Sequence, residues 1–209
     1  MCGMAERIKI YDSTMYPYYT IFRFARKKRR HIYFKTVCRR MLHFRRRLWY
    51  TTGILTGTNG FQKGIIMKVL MLNGSARPAG NTYIALREIG EQLKQEGIDY
   101  EIVNVGNGPL RDCLGCGGCT EAGCAFGNDD GVNDFIAKAK EADGFVFGTP
   151  VYYAHPSGRI LSFLDRVFYS GSAAFAFKPG AAVAVARRGG TSASFDATGF
   201  HSSLPVRML

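Results

Sequence analysis

No uninterrupted apolar run in this chain approaches the roughly 18 to 20 residues that span a bilayer, which excludes a hydrophobic transmembrane helix and makes a soluble, cytoplasmic protein the expectation. Acidic residues are nearly missing from the first third. Residues 1–66 carry 15 Lys and Arg against 2 Asp and Glu, a net +13, whereas residues 67–209 carry 13 against 14, a net −1. The overall charge of +12 is therefore local to the first segment and says little about the partners of the second. Histidine is scarce as well, at 4 in 209 residues. His31 and His43 lie in the basic segment, His201 in the tail, and His155 reads as a surface loop residue, so no catalytic acid or base is assigned. What the chain does have, 46% hydrophobic residues, is ordinary for a globular domain and excludes disorder throughout.

The basic segment interleaves Arg26-Lys-Lys-Arg-Arg30 and Arg45-Arg-Arg47 with Tyr18, Tyr19, Phe22, Tyr33, Phe34 and Trp49. Those are ingredients for phosphate contact and base stacking. No recognised nucleic-acid module accompanies them, and no targeting cleavage pattern follows, so neither nucleic acid nor membrane is the expected partner, and binding of either through residues 1–66 stands as a third reading of function. The expected organisation is a basic, aromatic-rich extension over residues 1–66 outside the fold, a domain over 67–198, and an atypical tail over 199–209.

From Met67 onward short β-branched runs alternate with amphipathic ones, the pattern of strands joined by crossover helices into a parallel sheet. Lys68–Leu72, Tyr100–Val105, Gly144–Gly148 and Ala181–Ala186 read as strands, with Pro150 ending the third. Ala85, Leu86, Ile89 and Leu93 stripe a first helix stopped by Gly97. Val132, Phe135, Ile136 and Ala139 stripe a second, and Ile160, Leu161, Leu164, Val167 and Phe168 a third. Right-handed crossovers then favour a doubly wound open sheet of order 2-1-3-4-5. That sheet wants a fifth strand and a last helix. Phe195–Thr198 is a helix start at most, Gly199 to Pro205 reads as turn and tail, and Pro205–Met208 offers only a weak edge strand, so the fold is expected to lack its C-terminal strand and helix.

The first strand runs straight into Asn73-Gly-Ser-Ala-Arg-Pro-Ala-Gly-Asn-Thr82 and then into a helix, which is where an open parallel sheet binds an anion. Gly74 and Gly80 permit tight turning, Ser75, Asn81 and Thr82 supply donors, and Arg77 supplies a charge-assisted one. Alternatively the segment is an ordinary βα loop with Thr82 as helix cap. Neither Gly-x-Gly-x-x-Gly nor a Gly-Lys-Ser/Thr ending is present, which points to a monophosphate.

Residues 67 to about 198 resemble the flavodoxin-like NAD(P)H-dependent FMN oxidoreductases, including their iron-sulfur flavoprotein branch. The resemblance rests on Met67 to Thr82, the Cys-x2-Cys-x2-Cys loop, Gly148-Thr-Pro-Val-Tyr-Tyr153 and Ser162-Phe-Leu-Asp-Arg166. It implies a flavodoxin-like fold, FMN as cofactor and NAD(P)H as co-substrate. A small-molecule electron acceptor such as a quinone, a nitro compound or a flavin is implied too, and so is a homo-oligomer. It implies that Ser75, Arg77, Asn81 and Thr82 hold the FMN phosphate and that Thr149, Pro150, Val151, Tyr152 and Tyr153 border the flavin ring. By the alternative reading, the two tyrosines merely pack on the sheet end. Ala186 to Ser192 forms a third loop on the same edge, where Arg187 and Arg188 either complete the pocket or stay solvated. Asp165 and Arg166, on the third helix, are expected to make a structural or subunit contact and not to do chemistry. Measured against full family length, the fourth strand is left as an apolar edge, and lower solubility than for an extended chain is expected.

Cys113, Cys116, Cys119 and Cys124 form a Cys-x2-Cys-x2-Cys-x4-Cys array interleaved with glycines, compact enough to wrap four thiolates around one metal centre. The ferredoxin run has a shorter last gap followed by proline, where this chain has Ala125. Tetrahedral zinc also suits four thiolates, and free or redox-active thiols are the remaining reading. The resemblance implies a [4Fe-4S] cluster on such a loop and, with it, ferredoxin as a possible electron partner.

Overall fold

The computed structural model describes residues 67–127 and 129–203; the basic segment 1–66 and the weak edge strand at 205–208 lie outside the described residues. Strand β1 (Lys68–Asn73) leads into helix α1 (Asn81–Gln95), followed by β2 (Asp99–Asn104). After the cysteine loop come α2 (Val132–Glu141) and β3 (Gly144–Tyr152), then a two-residue β4 (His155–Pro156). Helix α3 (Gly158–Gly171), β5 (Gly180–Val185) and α4 (Thr191–Ser203) complete the order.

β1 pairs in parallel with β2 on one side and with β3 on the other, and β3 pairs in parallel with β5. The long strands thus run β2-β1-β3-β5, the doubly wound order expected for a flavodoxin-like α/β sheet. β1 is buried on both faces, as a central parallel strand must be. Its alternation sends Val69 and Met71 into one core with Leu86, Ile89 and Leu93 of α1, and Leu70 and Leu72 into a second with Phe135 of α2 and Phe163 of α3. Gly97, at φ 75°, ends α1 because its left-handed backbone lets Gly97 N–H donate to Lys94 O and Ile98 N–H to Leu93 O.

Two expectations are corrected. Pro150 does not end the third strand, which continues to Tyr152. β1 reaches only as far as Gly148, so Pro150 lies beyond the ladder on that side, where its missing N–H costs nothing, while it stays in register with Val185 of β5. The segment from Gly199 is not a turn and tail either, since α4 runs from Thr191 through Ser203. The helix is seated by tertiary contact: Thr191, Ser194, Phe195 and Thr198 are all buried, although no apolar stripe announces them. Among the described residues no fifth long strand follows β5.

Candidate functional site

The carboxyl ends of β1 and β3 lie side by side where the chain turns away in opposite directions, the place where an open α/β sheet binds its ligand. The loop after β1 is held there by the backbone. Gly74 N–H donates to Gly148 O at 2.8 Å, and a Cβ on Gly74 would sit 2.6 Å from that of Ile160, so only glycine allows the approach. Asn73 is fully buried. Its amide donates to Asn104 at 2.7 Å, and its carbonyl accepts from Ser75 N–H at 3.2 Å, tying the loop to the end of β2. Ser75 Oγ then accepts from Arg77 N–H at 3.1 Å.

Gly80, not Thr82, is the N-cap of α1, and no side chain caps the helix. The reading of Thr82 as a cap is thereby removed. Thr82 is the second residue of the first turn, buried, with its methyl against Gly148. The positive end of a fifteen-residue helix thus opens onto the loop with no side-chain oxygen of its own to meet it. Ser75 is buried beside it, whereas Arg77 and Asn81 are exposed.

The second loop is a tight hairpin. Val151 pairs with Pro156 and Tyr152 with His155, and the two residues between, Tyr153 and Ala154, have φ of 49° and 65°. Positive φ at both positions marks the mirror-image turn that matches strand twist, here without glycine. Tyr152 is 55% exposed and Tyr153 is fully exposed at 106%, so neither packs on the sheet end. Pro150 and Val151 are half-buried. Thr149 is interior: its hydroxyl donates to Pro150 O and accepts from Ser157 N–H, and it stands in register with Ala184 of β5.

Ser157 joins the first two loops, a role that sequence reasoning missed. It is buried, its hydroxyl donates to Gly74 O at 3.0 Å, and it caps α3 by accepting from Ile160 N–H. A serine just ahead of an apolar helical stripe is a legible cap signal, but its reach across 83 residues is not. The third loop arrives through Gly190, at φ 92°, where an added Cβ would lie 2.2 Å from Ala154 Cα. The three loops, residues 74–80, 149–157 and 186–190, contain Arg77, Arg187 and Arg188 and no Asp or Glu. The edge of the sheet is therefore positive and suited to an anion.

The four loop cysteines lie between β2 and α2. Cys116 is exposed, Cys113 and Cys119 are half-buried and Cys124 is buried. Desolvation, reinforced by the neighbouring Cys124, Cys116 and Cys113 thiols, raises the Cys119 thiol above its ordinary pKa. Among the described residues no three Cys, His, Asp or Glu side chains are close enough together to hold a metal ion. The end of the loop is firmly set. Asn133 of α2 accepts from Cys124 N–H at 2.7 Å and donates to Cys124 O and Gly127 O, a clamp that no sequence pattern announced.

Arg166 of α3 lies beneath this loop at 1% exposure, buried within its own chain and not a surface contact. Its Nη1 pairs with Asp130 and also donates to Arg111 O, its Nε donates to Cys124 Sγ at 3.3 Å, and its Cζ lies 5.5 Å from the centre of the Phe126 ring. Burial alone would lower its pKa, but the bonds to Asp130 and Cys124 outweigh that and raise it.

A family model for NADPH-dependent FMN reductase matches residues 67–205. The chain belongs to the NADPH-dependent FMN reductase family. An iron-sulfur flavoprotein of Methanocaldococcus jannaschii is 39% identical over 100 residues, covering 48% of this chain and 51% of that protein. A second, from Archaeoglobus fulgidus, is 33% identical over 48% of each chain. An NADPH azoreductase of Bacillus sp. (strain OY1-2) is 30% identical over 143 residues, covering 66% of this chain and 68% of the enzyme. The chain spans about half the length of the first two relatives. The three loops at 74–80, 149–157 and 186–190 fall inside the matched span.

Proposed function

We propose that this chain is an FMN-dependent NAD(P)H oxidoreductase that passes hydride or electrons to a small acceptor, of the quinone, nitro, azo or flavin class. The carrying observation is the uncapped N-terminus of α1 above the Ser75–Arg77 loop, at the point where three loops with arginines and no carboxylates converge. Ser75, Asn81, Thr82 and the first amides of α1 would hold the FMN phosphate, with Arg77 adding a charge-assisted bond. The residues fit the group. The glycine-only approach at Gly74 leaves the backbone bare beside the helix end, and a phosphate supplies the acceptors that Gly80 does not. When bound, FMN supplies the hydride chemistry itself.

Thr149, Pro150 and Val151 would border the flavin edge through their backbone, while Tyr152 and Tyr153 present aromatic surface at a mouth open to solvent. Arg187 and Arg188 on the third loop would favour an anionic nucleotide donor. Purified chain mixed with FMN should bind it tightly and then oxidise NADH or NADPH with a quinone present. Failure to bind FMN sinks the reading.

A second reading, an iron-sulfur flavoprotein with the centre on Cys113, Cys116, Cys119 and Cys124 and a ferredoxin-type partner, is favoured by one observation. A buried guanidinium bonds a buried cysteine sulfur at the end of the array. A guanidinium N–H directed at a cysteine sulfur is the kind of outer contact that orients a sulfur ligand. Iron and sulfide analysis of protein purified without oxygen separates the two readings.

A further inference from the structure

The cysteine loop contains a small hairpin. Thr120 N–H donates to Gly123 O at 3.0 Å and Gly123 N–H to Thr120 O at 2.9 Å, with only Glu121 and Ala122 between them. Thr120 Oγ1 also accepts from Ala122 N–H at 3.2 Å, which fixes the turn from within. Two residues that exchange both bonds form a hydrogen-bonded pair, so the next pair outward, Cys119 and Cys124, is of the non-hydrogen-bonded kind. The two arms stay alongside one step further, since a Cβ on Gly118 would lie 3.1 Å from that of Ala125. Cys124 turns both its backbone groups to Asn133, away from Cys119, as a residue in such a pair does. The Cys119 sulfur takes a hydrogen bond from Ala125 N–H, the amide next to Cys124.

Partners in a non-hydrogen-bonded pair have Cα atoms about 4.5 Å apart and side chains on the same face of the hairpin. That separation falls within the Cα range of about 4.4–6.8 Å that a disulfide needs, and both cysteines are free. We propose that Cys119 and Cys124 are a redox pair that a small disulfide closes into a cross-strand bond. The Cys119 thiolate attacks one sulfur of the small disulfide, whose S–S bond breaks and releases one thiolate. Cys124 sulfur then attacks the Cys119 sulfur of the mixed disulfide and releases the second. The protons of the two cysteines end on the two released thiols, so the cysteines are oxidised and the small disulfide is reduced. The hairpin already holds the pair face to face, so the second step closes with little loop entropy to lose and the mixed disulfide does not accumulate. Asn133 fixes the backbone of Cys124, and Arg166 Nε, at 3.3 Å, fixes its sulfur. The pair needs neither flavin nor metal, and it competes with any metal centre for the same thiols.

The test treats the full chain, reduced and in the presence of a chelator, with oxidised glutathione, and follows free thiols, iron and the cross-linked peptides by mass spectrometry. Two of the six thiols should disappear, with one link joining Cys119 to Cys124, and a dithiol reductant should restore both. Cys124→Ser should stop at a glutathione adduct on Cys119, because the resolving sulfur is gone. Cys113→Ser/Cys116→Ser, which leaves the hairpin intact, should close as the wild type does. A link between any other two cysteines, or adducts alone on the wild type, overturns the proposal. So does iron held by the thiols with no link formed, a result that would favour the iron-sulfur reading. Should Cys124→Ser not fold, the Cys113→Ser/Cys116→Ser variant decides alone: failure to close there overturns the pair.

Discussion

Single residues hold this site together where conformation allows no substitute. Gly190 meets Ala154 at a distance no Cβ could share and sits at a φ of 92°, so it is the joint between the third loop and the hairpin. Gly190→Ala is expected to destabilise the fold by about 1–3 kcal/mol from strain and displaced backbone, and to weaken FMN binding as the hairpin shifts. Urea unfolding and flavin fluorescence measure the two effects, and wild-type values for both would show that the contact is dispensable. The glycine was visible in the sequence as part of a loop, but its partner was not, because Ala154 comes from a hairpin 36 positions away whose turn residues, Tyr153 and Ala154, carry no turn signature. Ser157, Asn133 and Arg166 were likewise illegible as site residues. Each acts through a contact with a distant segment, and its own neighbours in sequence do not report that contact.

At the scale of elements, the strands and first three helices were legible because each is long enough to show its period. α4 was not. Over residues 191–198 its buried positions are Thr191, Ser194, Phe195 and Thr198, mostly small and polar, and Thr198 Oγ1 donates to Ser194 O at 2.7 Å. The edge strand β2 is tied down by charge. Glu101 bonds Lys138 of α2 at 2.6 Å and Lys68 of β1 at 2.8 Å, and these bonds hold its carboxyl below the usual range against the opposing effect of burial. A depressed carboxyl contributes stability above its unfolded pKa and loses it as the pH falls through its folded one. Glu101→Gln should therefore cost about 0–1 kcal/mol near neutrality and flatten the decline in stability between about pH 5 and pH 3. Parallel denaturation series for the two proteins test this, and identical acid-side slopes would remove Glu101 from the account.

For the whole molecule, the site is an assembly of three loops on one sheet edge, so a ligand that bridges them should stabilise the entire fold. FMN at 100 times its dissociation constant is expected to raise unfolding free energy by about 2.7 kcal/mol, seen as a concentration-dependent rise in melting temperature. Riboflavin, which lacks the phosphate, should give a much smaller rise, because the α1 terminus and the Ser75–Arg77 loop would have nothing to hold. Equal shifts for the two would place the flavin elsewhere. The sheet order also leaves β5 paired only with β3 among the described residues, with its faces covered by α1 and α4.

Local physics was enough to determine the alternation of strand and helix from Met67 onward, the loop of small and donor residues after β1, and the family those motifs point to. Periodicity and turn chemistry act over a few residues and can be read along a line. The tertiary structure alone decided that Gly80 leaves α1 uncapped, that Pro150 continues its strand, that Ser157 and Gly190 weld three loops together, and that Arg166 lies under Cys124 with one donor unspent. Each of these depends on which distant segments come within hydrogen-bonding or van der Waals reach, and that is set by packing the sheet and not by any stretch of the chain that takes part in it.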